Sequence, residues 1–583
     1  MPETAFLGIK NSATGRRWTG LNAAQDRHAQ AISQQAGLPE IVARTLARRG
    51  IPPEEAKAFL TPSLRELMPD PSVLKDVDKA AARITQAIDK KQKIAIFADY
   101  DVDGATSAAL LITWLRNFGL AATLYVPDRV DEGYGPNDKA MQMLATSHDL
   151  IICVDCGTLS HGPIDAVKGT DVIVLDHHMG GETLPNALAV VNPNRQDEDT
   201  EYGYLCAAGV VFLVLAACNR IFKAANKSVP NLLDALDLAA LGTVADVAPL
   251  IGFNRALVRQ GLAVMGARKR PGLVALADAA KMNSAPTSYH LGFLLGPRIN
   301  AGGRVGKADL GARLLSTKDP DEARSIADRL NQLNDERREI EAHVQLQAME
   351  QAEQRGIDKP LVWAAGQGWH TGVVGIVASR LKEATNRPAI VIGLDGNEGK
   401  GSGRSVTGID LGSAVATCTR EGILLKGGGH TMAAGLTVAT ENLEIAMERL
   451  SELLEKQGAG DIGPKNLALD GAIAPSAITP ELIEQLEAAG PFGAGAPAPR
   501  FALPAQRITF AKRAGESHLR LTLQGENGSK IDAICFRAYD GPMGALLENH
   551  NGRLFHCAGR LEIDDWGGRR RVKLRLEDVA EVL

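Results

Sequence analysis

From about residue 76 to Val191 short apolar runs alternate with helical stretches, and this alternation constrains the fold more than any other feature of the chain. The runs are Lys93–Ala98, Ala122–Val126, Leu150–Val154, Val172–Leu175 and Ala189–Val191. Several are almost wholly apolar, as strands covered on both faces are. Strand, helix and strand in repetition specify a doubly wound parallel sheet. In such a sheet, ligands bind beyond the carboxyl ends of the strands.

The polar clusters fall at those ends. Asp99-Tyr100-Asp101-Val102-Asp103-Gly104 follows the first run, Asp155-Cys156-Gly157 the third and Asp176-His177-His178 the fourth. A further acid, Asp246, ends a helix that starts near Asp234. Singly, these are an acidic turn, a helix cap, two loop histidines and a turn residue. Together, at one sheet edge, they are carboxylates that repel one another unless a cation lies between them.

At 583 residues the chain is long enough for about three to four domains. It is 45% hydrophobic and 23% charged, the balance of a soluble globular protein. The net charge of −5 is weak, but its distribution is uneven. From Arg500 onward 14 Lys and Arg face 11 Asp and Glu, an excess of three, which leaves −8 for the rest. The seven cysteines are scattered and odd in number, which points to a reducing, cytoplasmic setting and not to a disulfide framework. Cys153 and Cys156 lack the second pair that a zinc knuckle needs. The longest apolar run, Ala207 to Cys218, is too short to span a bilayer. The first residues lack the basic and apolar regions of a signal peptide.

Residues 1–75 read as polar, then helical, with Pro52-Pro53 before a helix start. Asp319-Pro320-Asp321-Glu322 caps a long helix running to Glu353, about 50 Å at roughly 1.5 Å per residue. It would connect two lobes and wall a groove between them. The second lobe carries strands at Leu361–Ala364 and Ala389–Ile392. Its polar features are Trp369-His370-Thr371-Gly372, Ser402-Gly403-Arg404-Ser405 and Gly427-Gly428-Gly429-His430, where glycines let backbone approach a phosphate. Gly302-Gly303-Arg304-Val305-Gly306-Lys307 lacks the spacing of a P-loop. Pro491 to Pro499 reads as a linker or sharp crossing. Beyond it, period-two alternation such as Leu519-Arg520-Leu521-Thr522-Leu523 predicts a small antiparallel barrel. Arg569, Arg570 and Arg571, with Phe536, Tyr539 and Trp566 as exposed rings, fit a platform for single strands.

These motifs resemble the DHH phosphoesterase family, and within it the branch of single-strand-specific 5′-to-3′ DNA exonucleases. The resemblance spans nearly the whole chain. The acidic motif at Asp99–Gly104, Asp155-Cys156-Gly157, Asp176-His177-His178 and Ala245–Leu250 stand in the family's order. Pro297-Arg298-Ile299-Asn300-Ala301-Gly302-Gly303-Arg304 is similar to its arginine–asparagine motif. His370–Ala378 and Gly428–Gly435 look like its companion DHHA1 domain. Two departures occur: Gly495-Ala496-Pro497 where Gly-Asn-Pro is frequent, and His370-Thr371-Gly372 where His-Gly or His-Pro is commoner. Neither touches an expected metal ligand.

The resemblance implies a DHH catalytic domain at 76–315, a connecting helix at 316–356, a smaller α/β DHHA1 domain at 357–465 and an OB-fold-like barrel at 466–583, after an N-terminal helical region at 1–75. It implies phosphodiester hydrolysis by two divalent cations. Hard oxygen ligands select Mg2+ or Mn2+, and a histidine among them favours Mn2+. The implied ligands are Asp101, Asp103, Asp155, His177 and Asp246, with Asp155 shared by both ions and Asp99 beside them. His178 would act on the scissile phosphate. Arg298, Asn300, Arg304, His370, Arg404, Gly429 and His430 would hold the strand. The implied partner is single-stranded DNA, with a single-strand-binding protein and a helicase beside it. The expected setting is DNA repair and recombination, by a monomer that binds no membrane. Two alternatives stay open: a phosphodiesterase for oligoribonucleotides or cyclic dinucleotides, and a non-catalytic scaffold like the degenerate relatives of replicative helicases.

Overall fold

Each of the five apolar runs forms a strand: β1 (Ile94–Ala98), β2 (Thr123–Tyr125), β3 (Leu150–Val154), β4 (Asp171–Leu175) and β5 (Ala189–Val191). They make one sheet in the order β2-β1-β3-β4-β5, with every neighbouring pair parallel. Alternate residues serve opposite faces. Ala95, Phe97, Ile151, Cys153, Val172 and Val174 share a core with Met141, Leu144 and Ile164 on one side. Helices α1 (Val102–Arg116) and α2 (Ala207–Ala224) pack on the other. In α1 every residue from Val102 to Leu115 except Thr113 is buried, as expected of a helix apolar on all sides. The apolar run at Ala207 extends into 18 helical residues. Among the described residues α2 is therefore long and apolar enough to cross a membrane by length and composition, and most of it is buried in this core.

The computed structural model describes residues 5–129, 132–461, 463, 465–564 and 570–582. The chain divides into two compact units, one of 69–248 and 260–463 and one of 1–68, 249–259 and 464–583. The first contains the parallel sheet, then α3 (Leu236–Ala245), α4 (Gly296–Val305) and α5 (Pro320–Arg355). The 36-residue α5 begins where Asp319 accepts hydrogen bonds from the amides of Asp321 and Glu322. The glycine-rich Gly302–Gly306 stretch forms the C-terminal end of α4.

A second sheet in this unit has the order β9-β10-β8-β7-β6. Its strands are β6 (Val362–Gln367), β7 (Ala389–Asp395), β8 (Glu398–Arg404), β9 (Lys426–His430) and β10 (Ala433–Ala439), with helix α6 (Thr371–Thr385) between β6 and β7. Only β6 and β7 run parallel. The glycine-rich stretches around Arg404 and His430 are thus strands. In β8 the reason is steric. A Cβ at Gly399 or Gly401 would lie 2.8 Å from Ile392, and one at Gly403 2.6 Å from Leu411.

In the second unit, β11 (Phe501–Ala514), β12 (His518–Gln524), β13 (Lys530–Cys535), β14 (Leu554–Asp564) and β15 (Arg571–Glu581) close into a barrel through the β11–β14 pairing. The barrel is not wholly antiparallel, because β13 and β15 run parallel. Period-two alternation fixes which residues face in, but strand direction depends on the connections. Arg17–Thr19 pairs in parallel with Asn466–Ala468. The buried Trp18 indole donates to the buried Asp578 carboxylate at 2.8 Å. The Pro491–Pro499 stretch is pinned within the same unit, where the Leu250 amide donates to the Ala494 carbonyl at 2.8 Å.

Candidate active site

The register of the parallel sheet sets Ala98, Val154, Leu175 and Val191 in one row. The next residue in each strand is Asp99, Asp155, Asp176 and Asn192, so four polar side chains leave the sheet side by side. Asp101 caps α1, accepting from the amides of Asp103 (2.8 Å) and Gly104 (3.1 Å). Gly104 is required here, since a Cβ would lie 2.4 Å from the Asp99 carbonyl oxygen. Asp103 takes amide hydrogen bonds from Ala207 (2.6 Å) and Ala208 (2.9 Å) at the start of α2, where the helix dipole favours a carboxylate. Asp246 is the C-terminal cap of α3.

Three overlapping trios result, each with ligand atoms within 4.8 Å of one another: Asp99–Asp101–Asp155, Asp103–His177–Asp246 and Asp155–His177–His178. His177 Nε2 lies 3.3 Å from Asp155 Oδ1, 3.7 Å from Asp246 Oδ2 and 3.8 Å from Asp103 Oδ2. Asp155 has φ +60° and Val247, after Asp246, has φ +61°. Such conformations cost a side-chain-bearing residue about 1–3 kcal/mol and gather at functional sites.

The donor set fits divalent cations. Asp99 Oδ1, Asp155 Oδ1 and His177 Nε2 are buried and make no hydrogen bond, although buried polar atoms are normally satisfied. Burial pushes the Asp99 carboxyl well above the usual carboxylate range, and the Asp101 charge adds to it. Burial does the same to Asp155, with further push from Asp101, Asp103 and Asp99. It raises Asp103 against the pull of His177. It lifts Asp246 to about 9, helped by Asp103 and Asp101. A site this hostile to its own negative charges is one that cations would relieve.

His178 is held differently. Its Nδ1 donates to Asp176 Oδ1 at 2.8 Å. The same oxygen takes the His177 and His178 amides at 2.8 and 3.2 Å, and Thr158 donates its amide to the other. Burial disfavours the imidazolium, yet the hydrogen bond and charge of Asp176 raise His178 to about 9. Burial likewise works on Asp176, but His178 and Thr158 hold it below the usual range. The Tyr134 hydroxyl donates to the Asp155 carbonyl at 3.0 Å and lies 3.1 Å from His178 Nδ1. Asn192 donates to the carbonyl of His178 (2.8 Å), and Asn194 to that of His177 (2.6 Å). Reading the sequence missed Tyr134, Asn192 and Asn194. The available signals were a Gly-Tyr-Gly-Pro turn after a strand and an asparagine where other strands end in aspartate.

The expected strand-holding residues divide. Arg304 donates to the Gly372 carbonyl at 2.6 Å, at the start of α6, which His370 caps. Gly303 permits close approach of α4 to the acidic turn, because a Cβ there would meet the Tyr100 carbonyl at 2.7 Å. Arg404, Ala433 and His430 stand opposite one another across β8, β10 and β9, so their side chains share a sheet face. Gly429 sits beside His430 on β9, close enough to β10 that a Cβ would meet the Ala433 carbonyl at 2.4 Å. Arg298 is turned to structural partners, Asn331 (3.0 Å) and the Leu294 carbonyl (2.7 Å). Asn300 is half-buried on α4.

Arg129 was also missed. Its guanidinium lies 5.1 Å from the Tyr100 ring centre. Burial and then Arg129 lower the proton affinity of His370 and Arg404, and the same pair brings Arg304 down to about 10. Arg304, Arg404 and the His370 ring therefore all stand in the field of Arg129, a charge arrangement suited to an anion.

In the barrel unit Phe536 is 46% exposed, with His518 against its edge and Arg575 5.1 Å from its centre. Tyr539 is not an exposed ring. Arg513 covers it at 3.7 Å and its hydroxyl donates to Glu548. Trp566 and Arg569 lie outside the described residues. Arg570 pairs with Glu484 at 2.6 Å, and Arg571 is exposed.

Comparison with known proteins matches residues 93–243 to the DHH family N-terminal domain, 358–456 to the DHHA1 domain and 469–578 to the RecJ OB domain. The chain is 37% identical to the single-stranded-DNA-specific exonuclease RecJ of Dickeya dadantii, covering 93% of this chain and 96% of the relative. It superposes on the crystal structure of RecJ from Thermus thermophilus in complex with Mn2+ with a TM-score of 0.79 at 30% identity, covering 97% of this chain and 80% of that one. For the Mg2+ complex of the Thermus protein the TM-score is 0.72 at 28% identity, over 97% and 78% of the two chains.

Proposed function

This chain belongs to the RecJ family of DHH phosphoesterases, and we propose that it hydrolyses single-stranded DNA from the 5′ end, using two divalent cations, Mn2+ or Mg2+. The observation that carries the reading is the overlap of the three ligand trios at Asp155 and His177, with three buried polar atoms left unpaired among them. A degenerate scaffold has no use for an intact and self-repelling donor set. The second sheet and barrel argue for a long strand in preference to a dinucleotide.

Asp101, Asp103, Asp155, His177 and Asp246 would hold the cations, with Asp99 beside them. Asp155, which like His177 belongs to two trios, would serve both positions. When bound, such cations polarise the phosphodiester and make water a better nucleophile. The chain's own part is positioning. Asp176 aims His178 through Nδ1, and Nε2, 3.3 Å from the Tyr134 hydroxyl, would donate to a phosphate oxygen or the leaving oxygen. Arg129, Arg304, His370 and Arg404 offer donors to the strand's phosphates, and arginine forks suit this geometry. Arg404, with Gly429 and His430 in the same sheet, would read a 5′-terminal phosphate and so set polarity. The barrel would capture the strand.

On this reading residues 76–315 carry the chemistry, 316–356 connect, 357–465 complete the groove and 466–583 capture the strand, with 1–75 accompanying them. The setting is cytoplasmic repair and recombination, where a helicase and a single-strand-binding protein would present the substrate. The test compares single-stranded and duplex DNA of one sequence, with chelator and with Mn2+ restored. Hydrolysis confined to the single strand and abolished by chelation is expected. Equal hydrolysis of both, or activity that survives chelation, would refute it.

A further inference from the structure

Just before α4 the chain makes a π-helical turn, His290–Leu295. From Thr287 to Pro297 it carries no Asp, Glu, Lys or Arg. Leu291 and Leu295 are fully buried, while Tyr289 is 57% and Phe293 73% exposed. The turn is therefore apolar on both faces, yet only one is covered. A helical segment apolar all round is ordinarily buried, so the outer face is the anomaly. Its two rings stack on each other, with centroids 5.3 Å apart and planes at 24°, and His290 meets Tyr289 edge-on. His290 is itself fixed, since its Nδ1 accepts the Thr287 amide at 3.1 Å.

The turn rests on the active site. A Cβ at Gly292 would lie 3.4 Å from Val244, and one at Gly296 3.4 Å from Ala245. Both neighbours belong to the last turn of α3, which ends at Asp246. Val247, the next residue, is 69% exposed. Phe293 and Val247 are the most exposed of the large apolar side chains among the described residues; Val247 follows the expected ligand Asp246 directly, and the turn that carries Phe293 packs on the helix that Asp246 caps. Arg298 fastens the turn from below through the Leu294 carbonyl. Irregular π-turns of this kind concentrate at functional sites.

We propose that the Tyr289–Phe293 pair is a stacking platform for nucleobases of the strand next to the cleavage site. The inference rests on the reading of the substrate as a single strand, and deepens it. In a single strand the base faces are free, and a rigid pair of rings offers them a surface without regard to sequence. Phosphate-holding groups grip the backbone and cannot sense whether a base is present. The platform can, so it would favour base-bearing strands over abasic ones. It would also disfavour a duplex, whose bases are already stacked.

The test measures equilibrium binding, in chelator, of a labelled oligothymidylate and of the same strand with a run of abasic sites. Variants are Phe293→Ala, the Tyr289→Ala/Phe293→Ala double variant and Phe293→Trp, each with a thermal melt. Wild type should prefer the base-bearing strand by about fivefold or more, the lower end of what one stacked base contributes. The double variant should lower that ratio by about fivefold, whatever Phe536 of the barrel adds to it, and Phe293→Trp should keep it. An unchanged ratio in the double variant overturns the platform and leaves the nuclease reading standing, as it would if the face received a protein. A wild-type protein that binds no single strand, and cuts none with Mn2+, refutes the nuclease reading itself and the platform with it.

Discussion

His177 Nε2 and Asp155 Oδ1 face each other across 3.3 Å, buried, and neither makes a hydrogen bond. Each comes from a loop that follows a strand of the parallel sheet, so the sheet's register brings them together. In a protein without cations this contact, and the acids around it, are a standing liability.

That liability predicts a pH-dependent effect of metal removal. Asp99, Asp103, Asp155 and Asp246 all have raised proton affinities in the folded chain, Asp246 to about 9. The folded state then binds more protons than the unfolded one, so stability falls as pH rises from about 4 to about 9. Chelated protein should melt progressively lower from about pH 5 to about pH 8, and the gain on adding Mn2+ should widen over the same range. Melting curves that respond equally to Mn2+ at both ends would count against the cation site.

Asp155→Asn should keep the fold, because asparagine tolerates the left-handed backbone found at this position. It removes one of the mutually repelling charges. Chelated variant should melt above chelated wild type, while Mn2+-dependent hydrolysis should fall by more than about a hundredfold. A variant with near-normal activity would show that Asp155 is no ligand.

Asp176→Asn removes the charge that orients His178. Hydrolysis should drop by about 10- to 100-fold, mainly in kcat. In metal-free protein the His178 ring, titrated by NMR, should lose its high value near 9. A ring that titrates as before would separate Asp176 from the control of His178.

Arg404→Ala should blunt the preference for a 5′-phosphorylated end. Charge-assisted contacts are worth roughly 1.5–3 kcal/mol, so the ratio of 5′-phosphate to 5′-hydroxyl substrate should fall about ten- to a hundredfold. Mn2+ affinity, followed by calorimetry, should stay at the wild-type level. A preserved ratio would remove Arg404 from end recognition.

Deleting the barrel is a poor test of strand capture, because its core also buries Val42 and Asp578 anchors Trp18. Phe536→Ala is the cleaner probe. It should weaken binding of long single strands by about fivefold or more, and binding by wild type should fall as salt rises, through counterion release. Loss of equal size on a very short strand would argue against a separate capture role.

Asp99, Asp155 and Asp176 were legible because each follows an apolar strand, and a parallel sheet sends such positions to one edge; Asp246, at a helix end, was legible from the family resemblance of its motif. The long helix was legible from its Asp-Pro cap and its spacing. The supports were not. Tyr134 and Arg129 reach the site through chain reversals that leave no periodic trace, and Asn192 follows a strand as the acids do but carries no charge to mark it. The strand status of β8 was hidden because glycines at 399, 401 and 403 replace the apolar half of its alternation. Arg298 sits in a motif that reads as phosphate-binding, yet α5 supplies Asn331 as its partner, a contact only the fold could reveal.

The most direct measurement of the central claim is digestion of 5′-labelled and 3′-labelled single strands, DNA and RNA, with Mn2+ and with chelator. With Mn2+, 5′-labelled DNA should release labelled mononucleotide at once, while 3′-labelled DNA should shorten gradually. RNA should resist and chelator should stop everything. Immediate release from the 3′ label, or equal digestion of RNA, would contradict it.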